Sequence, residues 1–186
     1  MTTHTNRVLT VGHGTLPEND FATLVTQANV AEVVDIRSFP GSRRNPQFGS
    51  DEMARWLPDQ GVAYSWMKGL GGRRKPVPES PHVALRHPSF RAYADYMETD
   101  PFLAGVTDLL GRGDARAVMC SESVWWRCHR RLLADQLTLV REIEVLHLMH
   151  DGRLTRHVPT SGVRLAGDRL LYDVADQSPS VSSSRG

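Results

Sequence analysis

The sequence predicts a Rossmann-like α/β fold, a three-layer sandwich built on a mainly parallel sheet of about five strands. Three observations support this prediction. Short apolar runs alternate along the chain with longer segments in which apolar residues recur at helical spacing. The run EVVDI at 32–36 has β-branched residues in succession, which is typical of a strand buried on both faces. Strands that alternate with helices form right-handed βαβ units, whose strands are parallel.

Each predicted element follows from these patterns and from local start signals. The first helix is expected to open with a capping box at Thr15-Leu-Pro-Glu18. Another is expected to open at Asp100-Pro101, where Asp caps the helix and Pro occupies its first turn. The predicted strands are 8–11, 32–36, 62–66, 115–120 and 143–147, with 154–158 as a short further candidate. The predicted helices run from 18 to 28, through 53–57, over 89–96, from 100 onward and over 126–140.

Length and composition indicate one domain in a reducing compartment. The chain has 186 residues, 40% of them hydrophobic, which is enough for an ordinary single core. We expect the domain to span 1–176, followed by a disordered Ser-rich tail at 177–186. No apolar stretch reaches the roughly 18 residues of a membrane span, and the polar start lacks a secretory signal. Two cysteines fit free thiols, so we expect a soluble cytoplasmic protein without a membrane partner.

Basic side chains cluster where the strands are predicted to end. The net charge is only +1, but basic residues gather at 37–44, 68–75 and 127–131. A charge cluster is most often a solvated surface, yet parallel strands end together at one sheet edge, where ligands bind. Guanidinium groups pair with phosphate through two hydrogen bonds, so we expect a phosphate-bearing small molecule or nucleic acid there. The predicted ligand-binding residues are Arg37, Arg43, Arg44, Asn45, Arg73, Arg127 and Arg130.

Aromatic residues near these clusters are candidates for stacking on a base. Trp126 is the main candidate, and Trp125, Phe48 and Tyr93 are further ones, with core packing as the alternative for each. The glycine-rich turns do not indicate a nucleotide cofactor. The pattern GHG at 12–14 lacks the third glycine of a dinucleotide fingerprint, and GG at 71–72 lacks the Lys-Ser/Thr of a phosphate-binding loop. We therefore expect neither nicotinamide nor adenosine triphosphate.

The segment after the fourth predicted strand carries the candidate catalytic residues. Cys120 ends the strand, Glu122 follows it, and Cys128 and His129 enter the next helix. A thiol near a helix N-terminus and several cations has a lowered pKa, which favours the nucleophilic thiolate. Glu122 is the predicted acid or base, with His129 as a partner of the thiol and His13 as a further acid–base group.

Plainer interpretations of these residues stay open. Both cysteines fit small buried hydrophobic residues, and a single histidine is most often structural. Cys120, Cys128, His129 and His13 also supply four ligands for a zinc or iron ion. The spacing Cys-x7-Cys-His is not a common zinc pattern, and two adjacent helical residues point in different directions. We therefore expect no cofactor, with zinc or iron as the alternative.

The chain resembles the bacterial and archaeal family called domain of unknown function 488 over about 8–157. The motifs are TVGHGT at 10–15, VDIRSFP at 34–40, SRRNPQF at 42–48, LGGRR at 70–74, SFRAYADY at 89–96 and CSESVWWRCHRR at 120–131. The resemblance implies a Rossmann-like fold and no named activity, and Gly14 departs from the family's usual serine. It also implies a shared site built from His13, Asp35, Arg37, Arg43, Arg44, Glu122, Cys128, His129 and Arg130.

Three functions are consistent with these observations. The leading one is an enzyme, a nucleotide- or nucleic-acid-directed hydrolase or transferase that works at the sheet edge with Glu122 as acid or base. The second is a nucleic-acid-binding or sensing module without catalysis. The third is a rhodanese-like sulfurtransferase using Cys120, an analogy in which the loop differs because six residues separate Cys120 from Arg127. The sequence also leaves a homo-oligomer open.

Overall fold

A six-stranded sheet forms the centre of the protein, and it confirms the Rossmann-like three-layer α/β prediction. The computed structural model describes residues 7–113 and 115–174. The strand order is β3-β2-β4-β1-β5-β6, in which the first five are parallel and β6 is antiparallel to β5. The strands are β1 Arg7–Gly12, β2 Glu32–Asp35, β3 Ala63–Trp66, β4 Arg116–Cys120, β5 Glu144–Leu148 and β6 Leu154–Arg156.

Helices cover both faces of the sheet. They are α1 Glu18–Gln27, α2 Ser50–Asp59, α3 Pro88–Tyr96, α4 Asp100–Gly111 and α5 Arg130–Asp135, which continues as a π-helix over Gln136–Val140. Short 3-10 turns lie at Pro46–Phe48, Lys68–Leu70 and Trp125–Arg127. None of the helices in this described part of the chain is long and apolar enough to cross a membrane.

The central strands are apolar at consecutive positions because each face packs against a different helix layer. On one face, Leu9 and Val33 contact a core that includes Phe21 of α1 and Leu57 of α2. On the other face lies a second core, to which Val8, Val34 and Val118 of the strands and residues of α3, α4 and α5 contribute. Burying both faces of a strand requires apolar side chains on both, which explains the continuous β-branched runs.

The chain leaves β1 and β4 toward opposite faces of the sheet. The helix α1 after β1 packs in one core, and α5 after β4 packs in the other. The two strands are nevertheless neighbours, and their pairing extends past their ends, where the N–H of His13 donates to the carbonyl of Cys120 at 3.0 Å. Loops that diverge from adjacent parallel strands leave a crevice between them, and this is where such sheets bind ligands.

Three local predictions were wrong in detail. The helix α1 begins at Glu18 behind Pro17, with no side-chain cap, so Thr15 does not form a capping box. Asp100 lies in the first turn of α4, and Thr99 precedes it at the N-cap position. The expected helix over 126–140 is interrupted because Cys128 adopts an extended backbone conformation between the 3-10 turn and α5.

A small hairpin after the main sheet was missed. It consists of β7 Val163–Ala166 and β8 Arg169–Tyr172, joined through Gly167, whose φ of 68° fits a tight turn. The short strand β6 matches the candidate at 154–158 in position. The Ser-rich segment 177–186, expected to be disordered, lies outside the described residues.

Candidate functional site

The crevice between the loops after β1 and β4 holds a cavity of about 1000 Å³. Its walls come from the loops that follow β1, β2 and β4, from the glycine-rich segment after β3, and from the start of α3. Eleven of the thirteen predicted site residues line it: His13, Arg37, Arg43, Arg44, Asn45, Arg73, Cys120, Glu122, Arg127, Cys128 and His129. The exceptions are Arg130, which is buried behind the wall, and Trp126, which is exposed outside it.

Arg37 is held by a buried network at the bottom of the crevice. Its Nε donates to Asp35 Oδ1 at 2.9 Å, and its Nη2 donates to Asp35 Oδ2 at 2.6 Å. Nη2 also donates to the carbonyl of Phe48, and Nη1 lies 3.2 Å from Nε2 of His13. Tyr64 donates its hydroxyl to the same carboxylate at 2.8 Å. A guanidinium group has five N–H donors, so one of the Nη1 hydrogens is left to face a ligand.

His13 is a neutral, structurally fixed imidazole. Its Nδ1–H donates to the carbonyl of Gly14 at 2.8 Å, which leaves Nε2 to accept from Arg37. Burial, and after it the neighbouring charge of Arg37, lowers the pKa of His13 to about 4. The ring stacks on Phe48, with centroids 4.2 Å apart. These contacts favour a positioning role for His13 over the acid–base role that was expected from the sequence.

Four arginines reach the crevice without an internal acidic partner. Arg43, Arg44 and Arg127 are exposed, and their guanidinium groups form no hydrogen bond or ion pair with any described residue. The guanidinium of Arg73 lies over the ring of Phe39, 5.6 Å from its centroid. Charges that the fold leaves unpaired around one cavity are available to an anionic ligand.

Glu122 stands among these cations on a loop whose course is fixed from beneath. Its backbone carbonyl accepts a hydrogen bond from Nη2 of the buried Arg130. The loop crosses directly over Gly12, where an added Cβ would lie 1.8 Å from that carbonyl oxygen. The side chain of Glu122 is exposed in the cavity and has no hydrogen-bond partner among the described residues. A free carboxylate beside free guanidinium groups is placed to act on a bound ligand.

The two cysteines contact each other in the crevice wall. Burial, and after it the neighbouring Cys128, raises the pKa of the Cys120 thiol well above its usual value. Burial also acts to raise the pKa of Cys128, but the hydrogen bond from Cys120 and the nearby His129 and Arg130 outweigh it and hold that pKa well below its usual value. The backbone N–H of Arg130 donates to Sγ of Cys128 at 3.5 Å. These opposite directions favour Cys128 over Cys120 as the more readily ionised thiol.

His129 lies between the thiolate and the glycine-rich segment. Its Nδ1 is 3.5 Å from Sγ of Cys128, and its buried Nε2 has no hydrogen-bond partner. An added Cβ at Gly72 would come within 2.5 Å of Nδ1, so this position needs glycine for the ring to fit. The alternative metal site is not assembled, because no group of three or more His, Cys, Asp and Glu in residues 7–113 and 115–174 is placed to hold an ion.

A buried polar chain supports the crevice loop from the other side. Nε2 of His157 donates to Asp135 at 2.8 Å, and its Nδ1 lies 3.0 Å from Nε2 of His147. Trp125 stacks on the ring of His147, with centroids 4.1 Å apart and planes at 6°. Burial, with His157 next in size, lowers the pKa of His147 to about 2. Since Trp125 belongs to the segment that carries Glu122, this chain fixes one wall of the cavity.

Sequence reasoning missed some crevice residues and misjudged others. Ser38, Phe39, His87 and Phe90 also line the cavity, and their position beside the predicted basic cluster or before α3 was the only available signal. Phe48 and Tyr93, candidates for base stacking, are fully buried in the two cores and present no face to a ligand. Trp125 packs on His147, so the stacking hypothesis is left with Trp126 alone of the four.

The family assignment follows from a comparison with known families. The model of the family described as "Domain of unknown function DUF488" matches residues 19–137. This is a narrower span than the resemblance over 8–157, but it contains the arginine-rich loop, the cysteine pair and Glu122. No curated protein and no solved structure matches the chain. The matched residues make up more than half of the chain, which therefore belongs to the DUF488 family.

Proposed function

We propose that the protein is an enzyme that binds a phosphate-bearing substrate, a nucleotide or nucleic acid, in the crevice and transforms it there. The observation that carries this proposal is the set of unpaired cations around one cavity. Arg43, Arg44, Arg73 and Arg127 approach the same space from three loops, while the exposed acidic group among them is Glu122. Guanidinium groups bind phosphate oxygens through charge-assisted hydrogen bonds, which are stronger than neutral ones.

The internal pairing of Arg37 assigns it a different part in this proposal. Its bonds to Asp35, Phe48 and His13 hold the guanidinium rigidly at the bottom of the crevice. A rigid donor loses little entropy when it binds, so its remaining Nη1 hydrogen sets the position of the phosphate while the exposed arginines close around it.

Glu122 is the acid or base in this proposal, and Cys128 is the nucleophile. Proton transfer needs a carboxyl group within hydrogen-bond reach of the reacting atoms, and Glu122 faces the cavity without a competing partner. Nucleophilic catalysis needs an ionised thiol, and the cations around Cys128 favour that form over the thiol. His129 positions the sulfur through its Nδ1. Free thiols fit a reducing compartment, and we place the enzyme in the cytoplasm.

Two alternatives have less support. A rhodanese-like sulfurtransferase would use Cys120, but burial and the neighbouring sulfur raise the pKa of that thiol, which opposes formation of the nucleophile. A binding module without catalysis accounts for the arginines and is favoured by the exposed ring of Trp126. It leaves the thiolate and the free carboxylate without a purpose, so the enzyme is the preferred proposal.

Binding is tested by calorimetry with inorganic phosphate, a panel of nucleoside monophosphates and the matching nucleosides. The phosphorylated compounds should bind and the nucleosides should not. Removing Arg43 and Arg44 together should weaken binding by at least tenfold, since a hydrogen bond to a charged group contributes about 1.5–3 kcal/mol. The control is Arg55→Ala, which removes an exposed arginine of α2 that is paired with Glu52. Equal binding of nucleoside and nucleotide would overturn the proposal.

Catalysis is tested by mass spectrometry of the phosphate-bearing compounds and short oligonucleotides after incubation with the protein. Glu122→Gln should abolish product formation while its Kd for the substrate stays within about threefold, because the amide keeps the size of the side chain but cannot exchange a proton. Cys128→Ser should abolish turnover as well, and Cys120→Ser should retain it. If Glu122→Gln retains full activity, Glu122 is not the acid or base. If even the wild-type protein forms no product, the enzyme proposal is overturned and the binding module without catalysis is preferred.

A further inference from the structure

Three aromatic side chains at or after the ends of β2, β3 and β4 are exposed, and one of them, Phe39, lines the crevice. Phe39 is 66% exposed, and Trp66 and Trp126 are each 46% exposed. Large aromatic residues are normally buried because each removes much apolar surface from water. Exposed rings on segments that also supply the walls of a polar cavity are therefore available to a ligand that covers them.

Two of these rings stand beside a cation, and the third is adjacent to one in the sequence. Arg73 lies 5.6 Å from the ring centroid of Phe39, and the ammonium of Lys68 lies 5.9 Å from that of Trp66. Trp126 is followed directly by the unpaired Arg127. Alternating flat apolar surfaces and positive charges match a ligand that alternates flat bases and phosphates.

The two tryptophans are held in place before any ligand arrives. The indole N–H of Trp66 donates to the backbone carbonyl of Arg37 at 2.8 Å. The rings of Trp126 and Trp125 form a T-shaped pair with centroids 5.7 Å apart, and Trp125 is itself stacked on the buried His147. Rings that are already fixed lose little conformational freedom on binding, which makes them effective stacking surfaces.

The order of the strands places these rings on a row of three neighbouring segments along one edge of the sheet. Trp66 ends β3, Phe39 lies in the loop after β2, and Trp126 lies in the loop after β4. These strands are consecutive in the sheet, so the row extends over two strand spacings, about 10 Å, before the loops are counted. The free arginines of the crevice lie on the segments that follow these same three strands. A single nucleotide contacts only part of this row, whereas a chain of several nucleotides contacts all of it.

From this arrangement we propose that the substrate of the crevice is a single-stranded nucleic acid, whose unpaired bases stack on Phe39, Trp66 and Trp126 while the arginines bind its phosphates. The inference rests on the proposed function and names its substrate class. Paired bases in a duplex cover each other's faces, so stacking of this kind selects unpaired strands. Phosphates of the same strand occupy the cavity, where Glu122 and Cys128 face them.

The experiment measures binding of thymidine monophosphate, labelled single strands dT4 and dT12, rU12 and a 12-base-pair duplex to the wild-type protein. Stacking contributes about 1–3 kcal/mol per base, so dT12 should bind at least a hundredfold more tightly than the monophosphate. The duplex should bind more weakly than dT12. The comparison of dT12 with rU12 distinguishes DNA from RNA as the source of the strand. Raising the salt concentration should weaken the binding of dT12. The slope of log binding constant against log salt concentration should be near −0.7 per phosphate contact.

Variants separate stacking from charge. Phe39→Ala and Trp66→Ala should each raise the Kd of dT12 by at least fivefold. Trp66→Phe should recover most of the affinity that Trp66→Ala loses. The matched control is Leu165→Ala, which truncates an apolar side chain on β7 that is 50% exposed and should leave the Kd of dT12 unchanged. If the monophosphate binds and dT12 binds no tighter, the inference is overturned and the proposed function stands. If no phosphorylated compound binds, both are overturned.

Discussion

A single added methyl group at Gly12 should displace the loop that carries Glu122. In Gly12→Ala, the new Cβ would lie 1.8 Å from the carbonyl oxygen of Glu122 and 2.8 Å from Nη2 of Arg130. Ordinary contact between such atoms begins near 3.4 Å, so the carbonyl has to withdraw by about 1.6 Å. The neighbour is backbone and cannot rotate away. Overpacking of this kind costs roughly 1–3 kcal/mol of unfolding free energy.

The displacement has a thermal, a local and a catalytic readout. A loss of about 1–3 kcal/mol lowers the Tm of a domain of this size by roughly 2–4 °C per kcal/mol. Amide hydrogen exchange should become faster in 121–128, while β5, which pairs with the other side of β1, should stay protected. Because a misplacement of about 1 Å near the chemistry can cost ~10²-fold in rate, any turnover should fall at least that far.

The control for this substitution is Gly111→Ala at the end of α4. An added Cβ at Gly111 has no atom within 4 Å, and the backbone there does not have the positive φ that favours glycine. Its unfolding free energy should stay the same or rise by about 0.4–1 kcal/mol, because alanine restricts the unfolded chain. A Gly12 variant with wild-type Tm and unchanged exchange in 121–128 would refute the reasoning.

Three further predictions concern buried groups. The unfolding free energy should fall as the pH drops below 6.5, because the histidines of the unfolded chain bind protons there while the buried His13 and His147 stay neutral down to about pH 4 and 2. Since an unfolded histidine is only half protonated at pH 6.5, the loss is roughly 1.5 kcal/mol for each between pH 6.5 and 5. Urea unfolding measures this loss, and a flat profile would contradict it. Asp135→Asn should lower the unfolding free energy by about 1–3 kcal/mol. The carboxylate accepts three internal hydrogen bonds, and the NH₂ of an asparagine would face a donor instead. An unchanged urea midpoint would count against this. Iodoacetamide should label Cys128 before Cys120, with less loss of rate between pH 8 and pH 6 than an ordinary thiol shows; peptide mass spectrometry that finds Cys120 modified first would reverse the assignment of the thiolate.

The layout of the sheet and the place of the site were predictable because both follow from local patterns. A strand with both faces buried must be apolar throughout, and the runs before Gly12, Arg37 and Ser121 show this directly. Once the strands are known to be parallel, their carboxyl ends meet at one edge, and the residues that follow them become neighbours. The arginine cluster at the crevice was found by this reasoning alone.

The partners of individual side chains were not predictable in the same way. Arg37 and Arg43 look alike in the sequence, but Arg37 is consumed by a buried ion pair with Asp35 while Arg43 stays free. Asp35 lies only two residues before Arg37, but the contacts with His13 and Phe48 that complete the network join separate loops and are not encoded in any local spacing. The interruption at Cys128 was missed for a related reason, because the helical periodicity of 126–140 is a weaker determinant than the hydrogen bonds that fix the loop.

The hairpin β7–β8 was missed although a signal for it exists. Its strands are short and half exposed, so the apolar content of each is low. The Gly-Asp pair at 167–168 between two alternating runs is nevertheless a recognised hairpin pattern. Tyr172 of this hairpin donates to Asp135 at 3.0 Å, which ties the missed element to the buried chain behind the crevice.

The central place of β1 has a consequence for dissecting the protein. The segment that matches the family, 19–137, begins after β1 and ends before β5, yet β1 hydrogen-bonds to both β4 and β5 and supplies Gly12 beneath the crevice loop. A fragment cut to that segment would expose an edge of β4 where the middle of the sheet should be. Sequence similarity thus delimits a segment shorter than the sheet, and we expect the smallest unit able to fold to be longer at both ends.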